Sequence, residues 1–251
     1  MKTQPQNTLA WNIAVVLSFI FLIYLPAGDA LTTKATPGDY LALVKLLPAG
    51  IGYTLLVTLL GSTAAIAVGL AVGLGKLSRN RLILETASLY TEILRGVPLL
   101  VLLFYIYYAL GEVFHIPALA AAIIGFGLSY GAYMADVFRA GIQAVPREQA
   151  EAARSLGMPP RDAMFKIILP QAMRTIIPAV GNQTLGMLKD TSLVSVLAIS
   201  DILRVGNEYA TQHFNYFETY TYIALTYLAL TLLMSRVVRY LEERMNPARE
   251  G

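Results

Sequence analysis

Cysteine is absent from the chain, which excludes both a disulfide framework and a thiolate metal site. Histidine is nearly absent: His115 and His213 are the whole imidazole supply. Charge is scarce as well. Only 14% of the 251 residues are Asp, Glu, Lys or Arg and 56% are hydrophobic, against about 25% charged in an ordinary soluble domain, so water is not the chain's only solvent. The net charge of +3 is small and no basic cluster with interleaved aromatics accompanies it, which argues against a nucleic-acid partner. A phosphate loop is also missing. Gly73-Leu74-Gly75-Lys76 carries Leu70 where the first glycine of that loop belongs and Leu77 where Ser or Thr belongs, so by that criterion the chain has no ATP site of its own. Gly127-Leu128-Ser129-Tyr130-Gly131 matches a serine-hydrolase elbow in letters only, because it lies inside an apolar helical run with no histidine nearby.

What the chain does have is a series of apolar runs approaching the ~20 residues that a helix needs to cross a bilayer. They predict an all-α, polytopic integral membrane protein. Trp11–Ala27, with Lys2 ahead of it and Pro26-Ala27-Gly28 behind, reads as a first spanning helix, the alternative being a signal peptide. Residues 28–38 read as a loop and Tyr40–Leu47 as a short interfacial helix that stops at Pro48. Gly52–Leu74 is the first unambiguous span, and Gly61, Gly69 and Gly73 with their small neighbours predict a face that packs closely on another helix. Leu82–Arg95 is helical, Gly96-Val97-Pro98 breaks it, and Leu99–Leu110 resumes. A helix broken at membrane depth has to face protein or water, not lipid. Ala118–Ala135 is a span rich in small residues, and another begins near Ile176. Residues 201–219 read as a polar loop whose aromatics Tyr209, Phe214, Tyr216 and Phe217 suit an interface. Tyr220–Val238 is the last span.

Lys and Arg fall on alternate connections. Three lie in 76–81, six in 139–174 and four in 236–251, while the opposite side holds only Lys34, Lys45 and Arg204. Thirteen against three places the first group in the cytoplasm, and with six spans the N-terminus is cytoplasmic too.

The longest charged interruption of the apolar pattern is Pro146–Pro178. Pro146 with Glu148 and Glu151 suits a helix start, Gly157 suits a C-cap, and Pro159-Pro160 forces a turn before a second helix. Glu151-Ala152-Ala153, three residues, Gly157, nine residues, then Ile167-Ile168-Leu169-Pro170 resembles the EAA signature of permease subunits of bacterial ATP-binding-cassette importers, without gap or insertion. GIGYTLLVT at 50–58, EILRGVPLL at 92–100, Tyr130–Val145 and KDTSLVSV at 189–196 are similar to the polar amino-acid branch of that family, and the likeness covers roughly residues 45–245.

The resemblance implies a five-helix core of the type I importer kind, at 46–251; the extra N-terminal transmembrane helix and loop at 1–45 depart from the usual pattern, since Trp11–Ala27 precedes that core. It implies a coupling region at about 146–170 in which Glu151, Ala152, Ala153 and Gly157 dock on a pair of cytoplasmic ATPase subunits. Ala and Gly permit close approach and Glu151 offers one directional charge; the alternative for Glu151 is a solvated charge paired with Arg147 or Arg154. A second permease copy or related permease, an extracytoplasmic solute-binding protein, a polar amino-acid substrate and the surrounding lipid complete the expected partners. ATP belongs to the partner subunit, and no cofactor is expected in this chain.

Ionisable and amide residues at membrane depth pair with one another or line a pathway. Glu92, Arg95, Asn182, Gln183, Thr184, Lys189 and Asp190 are the candidates for a solute path, with Lys189 and Asp190 also readable as a mutual or gate-fixing pair. Asp136 and Arg139 lie close to the cytoplasmic boundary and read as structural, since long side chains snorkel there. The rival from another class is a secondary transporter or channel, but neither paired broken helices in two related halves nor a pore-ring motif occurs.

Overall fold

The computed structural model describes residues 37–245, with side chains from Lys45 onward, and Ile13, Val16, Leu17 and Ile20 in helix ahead of them. The rest of Trp11–Ala27, and the expected loop up to residue 36, lie outside the described residues. Every element among the described residues is helical. Four stretches are long and apolar enough to cross a membrane, Lys45–Gly75, Ala118–Gln143, Pro160–Leu197 and Tyr216–Met245, and the bent pair Arg81–Gly96 with Leu99–Phe114 makes a fifth if it counts as one span.

Helix α1 (Pro37–Gly75) is one continuous 39-residue element, so the short interfacial helix expected to stop at Pro48 does not exist as a separate piece. Proline removes one backbone donor, and the long apolar run on either side outweighs that single loss. α2 (Arg81–Gly96) starts at Asn80, whose side chain accepts the Leu82 N–H at 3.0 Å. It stops because the residue before a proline avoids the helical region: Val97, ahead of Pro98, is extended at φ −91°, ψ 126°. The chain resumes as α3 (Leu99–Phe104), passes through a π-helical stretch Tyr105–Leu110 and ends in α4 (Gly111–Phe114). The bend between the two halves is 99°, as the Gly-Val-Pro break predicts.

The remaining elements are α5 (Ala118–Gln143), α6 (Arg147–Ser155), α7 (Pro160–Ala163), a π-helical stretch Met164–Ile168, α8 (Leu169–Asp190), a 3-10 stretch Thr191–Leu197, α9 (Ile202–His213) and α10 (Tyr216–Met245). The existence of α9 corrects the polar loop expected over 201–219. Its polar residues hide a helical period: Ile202, Gly206, Tyr209 and Ala210 are buried on one face while Asn207, Glu208, Thr211 and Gln212 are exposed on the other. Tyr209 is therefore a core residue stacked on His213 with ring centroids 4.1 Å apart, whereas Phe214, Tyr216 and Phe217 are exposed.

Two compact units share these helices, one drawn from 1–56 and 188–236, the other from 57–187 and 237–251. In the first, Leu47, Ile202, Tyr209, Tyr222 and Ile223 form a buried apolar cluster. Gly50 of α1 meets the start of α9 so closely that a Cβ there would lie 2.9 Å from Ile202 Cα. In the second unit the α1–α5 seam is built from small residues, as the glycines of 61–73 predict. A Cβ at Gly69 would lie 2.6 Å from Met134 Cβ, and one at Gly73 would lie 2.8 Å from the Ala135 carbonyl.

Candidate coupling surface and solute path

The charged interruption folds as two short helices around a sharp break. α6 opens after Pro146 with Glu148 in its first turn. It closes in a Schellman arrangement: the Gly157 N–H donates to Arg154 O at 2.9 Å and the Met158 N–H to Ala153 O at 3.1 Å. Gly157 holds φ +77°, the left-handed region in which a side chain is strained. Pro159 and Pro160 then turn the chain into α7.

Of the four expected docking residues, Ala153 is buried and anchors the helix, while Glu151, Ala152 and Gly157 are exposed. Leu156 beside them is 81% exposed and Phe165 is 66% exposed. Arg154 Nε donates to Ala150 O at 3.3 Å, so it is turned to its own helix backbone and not to Glu151. Behind the helix a groove of about 470 Å³ runs along Ile142, Pro146, Ala150, Met164 and Ile168. The tip of the knob, Glu151, Ala152, Leu156 and Gly157, is small and partly apolar, with Glu151 its charged side chain, and Arg147, Glu148 and Arg154 are exposed on the rest of α6.

The second constellation centres on Asp136 of α5. Lys76 Nζ, one residue beyond α1, donates to Asp136 Oδ1 at 2.8 Å and to Thr91 Oγ1 at 2.9 Å. Arg95 Nη1, in the last turn of α2, donates to Asp136 Oδ2 at 2.7 Å, and its guanidinium lies 5.2 Å from the Tyr133 ring centroid. Arg139 Nε is 3.7 Å from Asp136 Oδ1, beyond hydrogen-bond reach, and is buried without a hydrogen-bond partner. A polar cavity of about 560 Å³ opens among these residues, with Glu92 and Ser88 also on its wall. Asp136 thus holds three elements together, and Lys76 and Arg95 cancel its charge in excess.

Glu92 and Arg95 share one cavity wall with Asp136 and Lys76. The sequence reading had set Asp136 aside and used Lys76 only as the end of a span. Asn182, Gln183 and Thr184 do not line this cavity. Asn182 is exposed on α8, and Thr184 Oγ1 donates back to Val180 O at 3.0 Å. Lys189 and Asp190, at the end of α8, belong to the other unit.

A second carboxylate had no place in the sequence reading. Asp201 is fully buried and accepts the Leu203 and Arg204 N–H groups at 3.2 and 3.0 Å and the Tyr227 hydroxyl at 3.1 Å. It is the N-cap of α9. Burial pushes its carboxyl above the ordinary value, against the three donors, which pull the other way.

A chain of several membrane-length helices, one of them broken at a Gly-Val-Pro and another followed by a projecting two-helix knob, defines a polytopic membrane transport component. The chain belongs to the family of binding-protein-dependent transport system inner membrane components, whose pattern matches residues 65–247, and it is a multi-pass permease of the cytoplasmic membrane. The probable amino-acid permease protein YxeN of Bacillus subtilis is 39% identical over 208 residues, 81% of this chain and 91% of that protein. The glutamine transport system permease protein GlnP of Escherichia coli is 31% identical over 205 residues, 80% of this chain and 94% of that protein. A crystal structure of an amino acid ABC transporter with histidines superposes with a TM-score of 0.78 at 38% identity, covering 84% of this chain and all of that one.

Proposed function

We propose that this permease moves polar amino acids inward, two permease subunits together forming the pathway, with a pair of cytoplasmic ATPase subunits supplying the work and an extracytoplasmic solute-binding protein delivering the substrate. The observation that carries the reading is the α6 knob. Its buried Ala153 fixes it to the permease, and its exposed Glu151, Ala152, Leu156 and Gly157 present a small, partly apolar surface with one charge, which is what a close protein contact needs. The likeness to YxeN, a probable amino-acid permease, and to GlnP, a glutamine transport system permease, supports the amino-acid assignment. The polar residues Glu92, Arg95, Asn182, Gln183, Thr184, Lys189 and Asp190 are the solute-path candidates. Arg95 and Glu92 suit a zwitterion best, because they share one cavity carrying both signs of charge.

The test is uptake in proteoliposomes holding the permease with its ATPase and binding protein. Wild-type vesicles take up a polar amino acid only with ATP. Gly157→Asp, which sets a side chain and a charge at a close-approach position, and Glu151→Lys, which reverses the charge of the proposed contact, insert normally and hydrolyse ATP, yet lose at least about tenfold in uptake per ATP, the order of one hydrogen bond to a charged group. Uptake by the permease alone, driven by an ion gradient and indifferent to ATP, refutes the reading, and normal coupling in both variants refutes the docking assignment.

A further inference from the structure

We propose that the groove between the last turns of α1 and the first turns of α2 binds an anionic phospholipid, one acyl chain lying in the groove and the headgroup meeting Arg79 and Arg81. The groove encloses about 440 Å³ between Ala71 and Val72 on one side and Leu82, Ile83, Thr86 and Ala87 on the other, and it extends to Tyr90. From Leu82 to Tyr90 it follows about 12 Å of helix. Its walls are apolar, and the two hydroxyls they contain are already used. Thr86 Oγ1 donates to Leu82 O at 2.8 Å and Tyr90 Oη donates to Leu128 O at 2.7 Å. A polar solute finds nothing there to bind, whereas a hydrocarbon chain loses nothing by entering.

The flanks agree with a lipid-facing surface: Leu82 is 75% exposed, and Leu74 and Ile83 are about half exposed. The turn that joins the two helices follows directly on Gly75 and precedes Leu82, both on the groove's wall, so this end is taken as the mouth; the turn carries Lys76 and Arg79, and Arg81 opens α2. Lys76 is engaged by Asp136 and Thr91. Arg79 is exposed. Arg81 pairs with Glu85 at 2.7 Å, with both side chains more than half exposed, and such a surface pair is weak enough to yield to a phosphate. Two arginines against one glutamate leave the mouth cationic directly beside an apolar slot. That juxtaposition fits an anionic lipid on the side of the membrane that the Lys and Arg count makes cytoplasmic.

The experiment reconstitutes the full chain with phosphatidylglycerol or phosphatidylcholine bearing a photoactivatable acyl chain, irradiates, and maps labelled peptides by mass spectrometry. Phosphatidylglycerol is expected to label residues 71–90 about fivefold more than phosphatidylcholine, the selectivity of roughly one excess basic residue at a membrane surface. Arg79→Gln with Arg81→Gln brings the two probes level, Glu85→Gln widens the gap, and Ala71→Phe, which fills the slot from an exposed position, removes labelling there while labelling elsewhere persists. Equal labelling by both probes in the wild type, or labelling unmoved by the arginine changes, means acyl contact without headgroup selection and overturns the proposal. Absence of labelling at 71–90 means that another protein surface covers the groove, and overturns it equally.

Discussion

Asp201 shows how one residue decides whether a polar stretch becomes a helix. Its carboxylate caps α9 and takes the Tyr227 hydroxyl inside a fully buried site. Asp201→Ala removes the cap and takes the carboxylate acceptor from the partly buried Tyr227 hydroxyl, which Thr54 and Thr191 also contact, and the loss of the cap alone costs about 1–2 kcal/mol, read as a lowered unfolding midpoint in detergent. Asp201→Asn keeps one acceptor oxygen, which serves either the Arg204 N–H or the Leu203 N–H but not both, so it retains part of the cap and costs less than Asp201→Ala. The pH dependence has a definite sign. Burial raises the folded-state value of this carboxyl, so the folded chain holds the proton more tightly than the unfolded chain. The contribution to stability is complete below the ordinary carboxylate value near 4 and is lost as pH rises through the raised value. The difference in midpoint between wild type and Asp201→Asn should therefore move against the wild type as pH rises from about 4, and a difference independent of pH would show that the buried donors have cancelled the desolvation.

At the level of elements, the seam between α1 and α5 rests on glycines that are legible in the sequence as small residues four apart, Gly69 and Gly73. What the sequence does not show is how little room is left. Gly69→Ala places a methyl 2.6 Å from Met134 Cβ, an atom fixed to the backbone that has no rotamer by which to retreat, and overpacking of this kind costs about 1–3 kcal/mol. Gly52→Ala, where a Cβ meets nothing within 4 Å, is the control, and a gain of up to about 1 kcal/mol from helix propensity is expected there. Thermal unfolding of the two variants side by side checks both signs. The same contrast explains which elements were readable. The break at Gly96-Val97-Pro98 and the cap at Gly157 are local rules of φ and donor supply, and both appear where the sequence puts them. The α9 helix was missed because mean polarity concealed a period of buried positions. The Asp136 cluster was only half read because its partners Lys76 and Arg95 are 60 and 41 residues away, a proximity that no local pattern encodes.

At the level of the whole molecule, orientation rests on a single bias, thirteen Lys and Arg on one set of connections against three on the other. Each of the thirteen disfavours transfer across the membrane, so the set with more of them is the one expected in the cytoplasm. Two exposed apolar side chains lie in connections of opposite class, Leu156 and Phe214, each 81% exposed. The cysteine-free chain makes each of them addressable alone. In intact cells a membrane-impermeant maleimide should label Phe214→Cys and leave Leu156→Cys unlabelled until the membrane is opened. Because the α6 knob can meet an ATPase only from the cytoplasm, the same measurement bears on coupling: labelling of Leu156→Cys from outside would remove the docking surface from the compartment that holds ATP, and with it the reason to read Glu151 and Gly157 as contacts at all.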